Sequence, residues 1–388
     1  DDRAVRALGH LADLHHLVRH HADQPVGRAR DGLTALALRQ LEVLGLRPEA
    51  VPSWTEVRQV VLHSPSGRTV ELALPAGPGT HAVVARRRDL DAALVDLARG
   101  AGAEVLEGSA LLGADRDEKG ATVHLEGIGE VRARHVVGAD GAWSPLRRAF
   151  GLGGAGYRGD WHALRQYVSG TEVGSRLHVL FDAGLLPGYA WAFPLPEGGA
   201  NVGLGILRGG RVATGDTGPL WRALSSRAPL RDLLGPTAEA DGPLRAWPIP
   251  AHLGAVPLTA GPVLFVGDAA AVTDPLTGEG IGQALLTGVL AAEAVVATAG
   301  GRAGDAAATY AASVRRELGL DHTFGHRLSG VLSSARVTRA GIRAVGATAW
   351  SRRNFARWMF EDYPRALVGT PRRWHRGVLS GPGAFATA

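Results

Sequence analysis

Apolar residues recur at helical spacing from Ala35 to Leu44, after the run Gly32-Leu33-Thr34, and Gly45 supplies a stop, so a helix is expected there. The period then changes. From Val60 to Leu74 the chain reads as two strands about a turn at Pro65-Ser66-Gly67, with apolar and polar positions alternating in Thr69-Val70-Glu71-Leu72. A second helix is expected over Asp89–Arg99, with Leu90, Leu94 and Leu97 on its apolar side and Gly100 ending it. Ala103–Leu106 begins a strand, and Val123–Leu125 and Val131–Val137 continue as strands, the latter running into Gly138-Ala139-Asp140-Gly141. Between about 160 and 250 short strands dominate, among them Arg176–Phe181, Tyr189–Phe193 and Ala200–Gly205, which predicts an antiparallel, substrate-binding sheet inserted into an α/β domain. Val263–Val266 has the look of a buried strand, Gly280–Ala297 of a long helix of small residues, and from Gly301 to about Leu367 the pattern is helical before a Pro- and Gly-rich tail. No repeat of fixed period is visible.

Composition narrows the classes. With 388 residues, 45% hydrophobic and 20% charged, the chain has room for two domains or for one large domain around a split sheet. It has no run of roughly eighteen uncharged apolar residues, so an integral membrane protein is not expected. The absence of Cys excludes disulfides, thiolate metal sites and a Cys nucleophile, and fits a cytoplasmic setting. The net charge of +5 comes almost wholly from arginine, with Lys119 the one lysine, which looks like coding bias in a GC-rich genome more than a nucleic-acid groove. Basic residues thicken after Arg315, among Trp350, Phe355, Trp358 and Phe360. That region is a candidate for peripheral contact with an anionic membrane, against the alternative of a solvated face over core aromatics.

The first thirty residues stand apart. They carry His10, His15, His16, His20 and His21, and the spacing of His16 and His20 would put two imidazoles on one helical face. No carboxylate general base stands between them, so no metal is expected. The chain has no basic segment followed by an apolar core at its start, and it opens at Asp1 without Met, so an incomplete beginning is expected.

The chemistry concentrates in a run from Gly261 to Gly282, a strand ending in Gly267-Asp268 and then a Pro- and Gly-rich turn opening a helix. Gly267 permits close backbone approach, and the Asp268 carboxylate can accept hydrogen bonds from dinucleotide hydroxyls. Gly278, Gly280 and Gly282 expose backbone N–H groups at a helix N-terminus, where the helix dipole favours negative charge. Alternation places Tyr189, Trp191 and Phe193 on one side of a strand, as an apolar wall or a core aromatic ladder.

Gly267-Asp268-Ala269-Ala270 followed by Asp274-Pro275-Leu276-Thr277-Gly278-Glu279-Gly280-Ile281 resembles the second FAD motif of the aromatic-hydroxylase and geranylgeranyl-reductase superfamily. Val137–Arg147 resembles the family's Asp-Gly motif through Asp140 and Gly141, and Arg87-Arg88-Asp89-Leu90-Asp91 is similar to its Arg-x-x-Leu-Asp segment. Tyr189-Ala-Trp191-Ala-Phe193-Pro with Asn201-Val-Gly203-Leu-Gly205 looks like the paired motif of the geranylgeranyl reductases. The resemblance implies a split FAD/NAD(P)-binding Rossmann-like domain over 31–155 and 256–300, a substrate-binding β-sheet domain over 156–255 and a helical region over 301–388. It implies FAD held by Arg87, Asp140, Gly141, Gly267, Asp268, Pro275, Gly278, Glu279, Gly280 and Ile281, with NAD(P)H a candidate electron donor. It also implies an isoprenoid or prenylated lipid or quinone as substrate, placed by Tyr189, Trp191, Phe193, Gly203 and Gly205. Reduced flavin would then deliver hydride to an isolated alkene.

Departures matter as well. No strand followed by Gly-x-Gly-x-x-Gly precedes Asp31, and the one such spacing, Gly151, Gly153 and Gly156, follows a basic helical stretch and reads as a loop. Asp31-Gly32-Leu33-Thr34 looks like the end of the family's Cys-Gly-Asp-Gly-Leu-Thr segment, with Ala29 and Arg30 where Cys and Gly would stand. The resemblance is therefore expected over about 31 to 370, by truncation or a change of reading frame upstream. No proton donor is assigned, because the motif cysteine is missing. An aromatic monooxygenase and a non-catalytic flavoprotein relative are the alternatives.

Overall fold

The computed structural model describes residues 31–153, 156–360, 365–370 and 381–386, and the backbone of 17–20. The expected histidine spacing at 16 and 20 falls almost wholly outside the described residues. The part described, β1 (Leu17–His20), is a strand, so helical spacing does not apply to it. After β2 (Gly32–Thr34) comes α1 (Ala35–Val43), which buries Ala35, Ala37, Leu38 and Leu41. It closes as the sequence predicts: Gly45 turns left-handed at φ +82°, Leu44 N–H reaches Gln40 and Leu46 N–H reaches the Leu41 carbonyl. β3 (Thr55–Glu56) is brief. The expected hairpin is β4 (Gln59–His63) and β5 (Thr69–Ala73), antiparallel, with Val70 and Leu72 inward and their neighbours exposed. β6 (Ala82–Val84) pairs with both β2 and β3. α2 (Arg87–Gly100) runs one residue through Gly100, and the left-handed turn falls to Gly102 at φ +91°.

β7 (Glu104–Glu107) lies parallel to β1, so residues upstream of Asp31 contribute a strand to the fold. β8 (Leu111–Asp117), β9 (Gly120–Leu125) and β10 (Gly129–Ala133) form a meander. The run Val131–Val137, expected as one strand, is split. β10 belongs to the meander, whereas β11 (Val136–Gly138) pairs in parallel with a later strand, and a local alternation cannot show a change of partner. α3 (Pro145–Ala149) follows the Asp140-Gly141 turn.

The central sheet is built from β12 (Trp161–Ser169), β13 (Leu177–Leu180), β14 (Tyr189–Pro194) and β15 (Ala200–Leu207), followed, after α4 (Thr217–Ser225) and α5 (Leu230–Leu234), by β16 (Glu239–Ala240) and β17 (Arg245–Ile249). Its order is β16-β12-β15-β14-β13-β4-β5, with β17 also on β12. Two strands thus come from 59–73, and β13 meets β4 in parallel, so the sheet expected to be antiparallel has one parallel pair. Gly203 faces Trp191 in register, and a Cβ there would come within 2.6 Å of Trp191 Cζ2 and 2.3 Å of the Leu164 carbonyl, which only glycine avoids.

β18 (Thr259–Ala260) and β19 (Val263–Phe265) bring the chain back beside β11, with Val263, Leu264 and Phe265 fully buried. α6 (Ile281–Ala297) and α7 (Ala303–Leu332) cover them, and Tyr310 donates to the Phe265 carbonyl at 2.5 Å. α8 (Ala335–Gly346) and α9 (Ala349–Phe360) pack on β5. Among the described residues no helix is long and apolar enough to cross a membrane.

Candidate active site

The segment between β19 and α6 is a polar turn fixed from several directions. Gly267 takes φ +56°, which favours glycine, and donates its N–H to Thr287 Oγ1 at 3.0 Å. Asp274 is the staple of the turn. Its Oδ1 accepts from the N–H groups of Leu276 (2.8 Å) and Thr277 (2.7 Å) and from Thr277 Oγ1 (3.0 Å), while Oδ2 pairs with Arg365. Burial opposes ionisation of Asp274, but the Arg365 guanidinium and those N–H groups outweigh it and hold the carboxyl below its ordinary value. Pro275 offers its carbonyl to Ser329 Oγ at 3.1 Å, and the Thr277 carbonyl accepts from the Tyr189 hydroxyl at 2.6 Å. Gly278, at φ +67°, donates to the Asp274 carbonyl at 2.8 Å.

At the end of this turn Gly280 is the N-cap of α6, no side chain caps it, and Ile281 is the first helical residue. The free N–H groups of a 17-residue helix therefore meet a small cleft lined by Arg165, Trp191, Trp247, Asp268, Gly278 and Gly280. The Nε of Arg165 is buried there with no partner among the described residues. Asp268 Oδ1 accepts from Thr273 Oγ1 at 2.9 Å, and burial pushes its carboxyl up, partly offset by Thr273 and Arg87. An uncapped helix N-terminus, an orphaned guanidinium N–H, a buried carboxyl and a flat indole are donors, acceptor and apolar face in one cleft. That set fits a flavin.

Arg87, the first residue of α2, forms an ion pair with Asp91 at 2.7 Å. Burial works against its charge, but Asp91, Asp31 and Asp268 outweigh this and hold the Arg87 guanidinium charged behind Asp268. Asp140 lies elsewhere in the turn before α3, where its Oδ2 accepts the Leu146 N–H at 2.8 Å beside Gly141 at φ +79°. Arg147 links the two motifs: its guanidinium donates to the carbonyls of Ala269 at 2.5 Å and Ala142 at 3.1 Å.

Beside the cleft lies a second cavity of about 300 Å³, walled on the sheet side by Phe181, Tyr189 and Phe193 and on the helical side by Ile342, Phe355 and Trp358. Its polar groups include Thr34, Thr277 and Glu279. Tyr189, Trp191 and Phe193 share one side of β14, with ring centroids 6.2 Å and 6.0 Å apart along the ladder. They do not share one cavity. Tyr189 and Phe193 line the large one, whereas Trp191 lines the cleft and separates the two. Gly203 and Gly205 stand opposite Trp191 and Tyr189 on β15.

Sequence reasoning assigned no role to the buried chain behind the indole. Trp191 Nε1 donates to Asn201 Oδ1 at 2.9 Å, and Asn201 Nδ2 donates to Asp31 Oδ2 at 2.6 Å. Burial pushes Asp31 up, with Arg165 and Asn201 opposing. Asp31 and Asn201 stood inside quoted motifs, but Arg165 and Trp247 lie on β12 and β17 without a local signal. Of the aromatics near the basic C-terminal region, Phe355, Trp358 and Phe360 line the large cavity, and Trp350 is 69% exposed.

Asp31, Asp268 and Glu279 all carry raised values, chiefly through burial, so they add stability fully below the ordinary carboxylate range and lose it as pH rises through their folded values. Thermal unfolding scans from pH 5 to 9 (roughly the span above ordinary carboxylate values) are expected to show Tm falling toward alkaline pH. Glu279→Gln is expected to flatten that fall, and a slope unchanged by the substitution would refute the assignment of Glu279.

Residues 12–173 match the family model described as FAD binding domain. The match begins upstream of Asp31, which corrects the expectation that resemblance starts there, and agrees with the pairing of β1 and β7. The chain is 35% identical over 287 residues to digeranylgeranylglycerophospholipid reductase 2 of Methanopyrus kandleri, covering 69% of this chain and 67% of that protein. It is 35% identical over 294 residues to the menaquinone reductase of Mycolicibacterium smegmatis, covering 70% and 67%. Among solved structures, a geranylgeranyl bacteriochlorophyll reductase-like protein of Thermoplasma acidophilum superposes with a TM-score of 0.73 at 21% identity, over 95% of this chain and 94% of that one.

Proposed function

We propose, from the premise that this chain belongs to the geranylgeranyl reductase family of FAD-dependent oxidoreductases, that it reduces carbon–carbon double bonds in the polyprenyl chain of a lipid or prenylated quinone. The observation that carries the reading is the adjacency of two unlike compartments. A polar cleft at the uncapped start of α6 abuts an almost wholly apolar cavity, and Trp191 stands between them. An isoprenoid chain offers nothing to hydrogen-bond, so it needs such apolar walls to be held still, and the redox partner must sit at their edge.

In this reading the N–H groups at Gly280 and Ile281, with Gly278, Gly267, Asp268 and Arg87, hold FAD, and the Asp274 staple keeps Pro275 to Gly280 in place for it. Asp140 and Gly141 shape the turn that Arg147 ties to Ala269, acting on the cofactor through that tie. A flavin, once bound and reduced, supplies the hydride equivalent. Tyr189 and Phe193 orient the alkene, Trp191 forms the wall nearest the cofactor, and Gly203 and Gly205 leave room for those rings. Helices α8 and α9 roof the cavity and exclude water. The cofactor thus falls to 31–155 and 256–300, and the substrate to the sheet of 156–255 with β4 and β5 and to the helices of 301–388. NAD(P)H is the proposed electron donor. Lipid is proposed to enter from an anionic surface met by the arginines of α8 and by exposed Trp350, in a cytoplasmic protein.

The test is spectroscopic. Purified protein incubated with FAD and desalted is expected to keep the flavin absorption bands, and a geranylgeranyl-bearing glycerophospholipid in detergent is expected to perturb them saturably. Protein that keeps no flavin would support the non-catalytic alternative. Flavin-loaded protein that consumes oxygen while hydroxylating an aromatic compound would support the monooxygenase alternative.

A further inference from the structure

Glu279 is the carboxyl that lines the apolar cavity among the described residues, and its place there is unusual. It is 7% exposed, yet it belongs to the turn that opens α6, so its neighbours Gly278 and Gly280 line the polar cleft while Glu279 itself lines the large cavity. Thr34, at the start of α1, holds it from across the site: Thr34 Oγ1 lies 2.8 Å from Oε1 and 2.7 Å from Oε2, and the Thr34 N–H reaches Oε1 at 3.3 Å. A hydroxyl has one proton and cannot donate it fully to both oxygens. Both short contacts are satisfied when the carboxyl is protonated, with Thr34 donating to Oε1 and accepting from Oε2–H. The charged groups facing Glu279 are Arg365 and Asp274, and these are already paired with each other. Burial then leaves the neutral acid favoured.

We propose that Glu279 is the acid that protonates the substrate alkene, with Thr34 as the residue that positions it. This rests on the reductase reading above. Reduction of a C=C bond needs two electrons and two hydrogens: a hydride from reduced flavin forms one C–H bond, and the Glu279 proton forms the other on the adjacent carbon as the π bond breaks. The carboxylate left behind takes a new proton from water by way of the half-buried Thr34 hydroxyl. An isolated alkene carries no heteroatom to receive the proton, so a fixed neutral acid inside a dry cavity supplies what solvent cannot.

The test uses full-length wild type, Glu279→Gln, Glu279→Asp and Thr34→Val. Infrared difference spectra across pH, recorded without substrate, are expected to show a protonated carboxyl component that titrates above the ordinary carboxylate range in wild type and is missing from Glu279→Gln, while those of Asp31 and Asp268 remain. With FAD bound and reduced anaerobically, mixing with the geranylgeranyl-bearing glycerophospholipid is expected to reoxidise the flavin at least about 100-fold more slowly in Glu279→Gln, with flavin and lipid affinity kept within about threefold. Glu279→Asp and Thr34→Val are expected to fall between. The wild-type rate is expected to decline as pH rises, and that of Glu279→Gln to be flat. Identical infrared spectra, a rate in Glu279→Gln near wild type, or loss of flavin affinity in that variant would each overturn the proposal, the last by making Glu279 a cofactor-holding residue. Wild type that does not reduce the lipid at all would refute the reductase reading itself, a failure separable from the others because it does not depend on residue 279.

Discussion

Asp274→Ala is expected to lower the free energy of unfolding by about 3–5 kcal/mol, because it removes one partner of a buried ion pair and leaves the other charge without compensation. Arg365 and Asp274 are 13% and 10% exposed, so water does little to rescue the orphaned guanidinium. The same change strips Leu276 and Thr277 of the acceptor for their N–H groups and frees the turn whose end starts α6. FAD affinity is therefore expected to drop with stability. Asp274→Asn, which keeps an acceptor for those N–H groups but not the charge, is expected to fall between. Urea unfolding at neutral pH measures the first effect and flavin fluorescence quenching the second. An alanine variant within about 1 kcal/mol of wild type would mean that the staple carries no weight. Acid should act in the same direction: the carboxyl is held below its ordinary value, so its contribution is present above that value and is lost as pH falls through the lowered one.

Trp191→Ala is the second large effect. The indole is fully buried, packed edge-on against Tyr189 and tilted against Phe193 along β14, and its truncation is expected to cost about 3–5 kcal/mol. It also leaves Asn201 Oδ1 without the indole N–H and joins the cleft to the apolar cavity. Trp191→Phe keeps most of the apolar volume but removes the indole N–H, so it is expected to cost less than alanine, about 1–3 kcal/mol for the lost hydrogen bond plus a small packing loss. In the flavin-loaded protein Trp191→Ala is expected to bind lipid while reducing it poorly, because the wall that fixes the alkene against the cofactor is gone. Equal unfolding curves for Trp191→Ala and wild type would contradict the packing described for β14.

Much of this arrangement was legible in the chain. The hairpin of β4 and β5 follows from alternation alone, and the turn before α6 from its glycines, because both are set by neighbours in sequence. What stayed hidden is long-range pairing. Asp274 meets Arg365 across 91 residues, and Thr34 meets Glu279 across 245, so no local pattern marks either contact. Alternation placed Tyr189, Trp191 and Phe193 on one face, correctly, but a period of two cannot say that one face borders two cavities. The pairing of β13 with β4 was invisible for the same reason, as was the tie from Arg147, the last residue of the quoted Asp-Gly motif, to the Ala269 carbonyl 122 residues on, while Arg165 stood in no quoted motif.

The central claim is tested most directly by the mass of the lipid product. Flavin-loaded protein, reduced under anaerobic conditions and given the geranylgeranyl-bearing glycerophospholipid, is expected to yield lipid heavier by two hydrogens for each flavin oxidised, both appearing as deuterium when the protein is reduced and reacted in deuterium oxide, because the reduced flavin N–H and the carboxyl proton exchange with solvent. Lipid recovered unchanged from protein that demonstrably holds reduced flavin would contradict the assignment of this chain as a polyprenyl reductase.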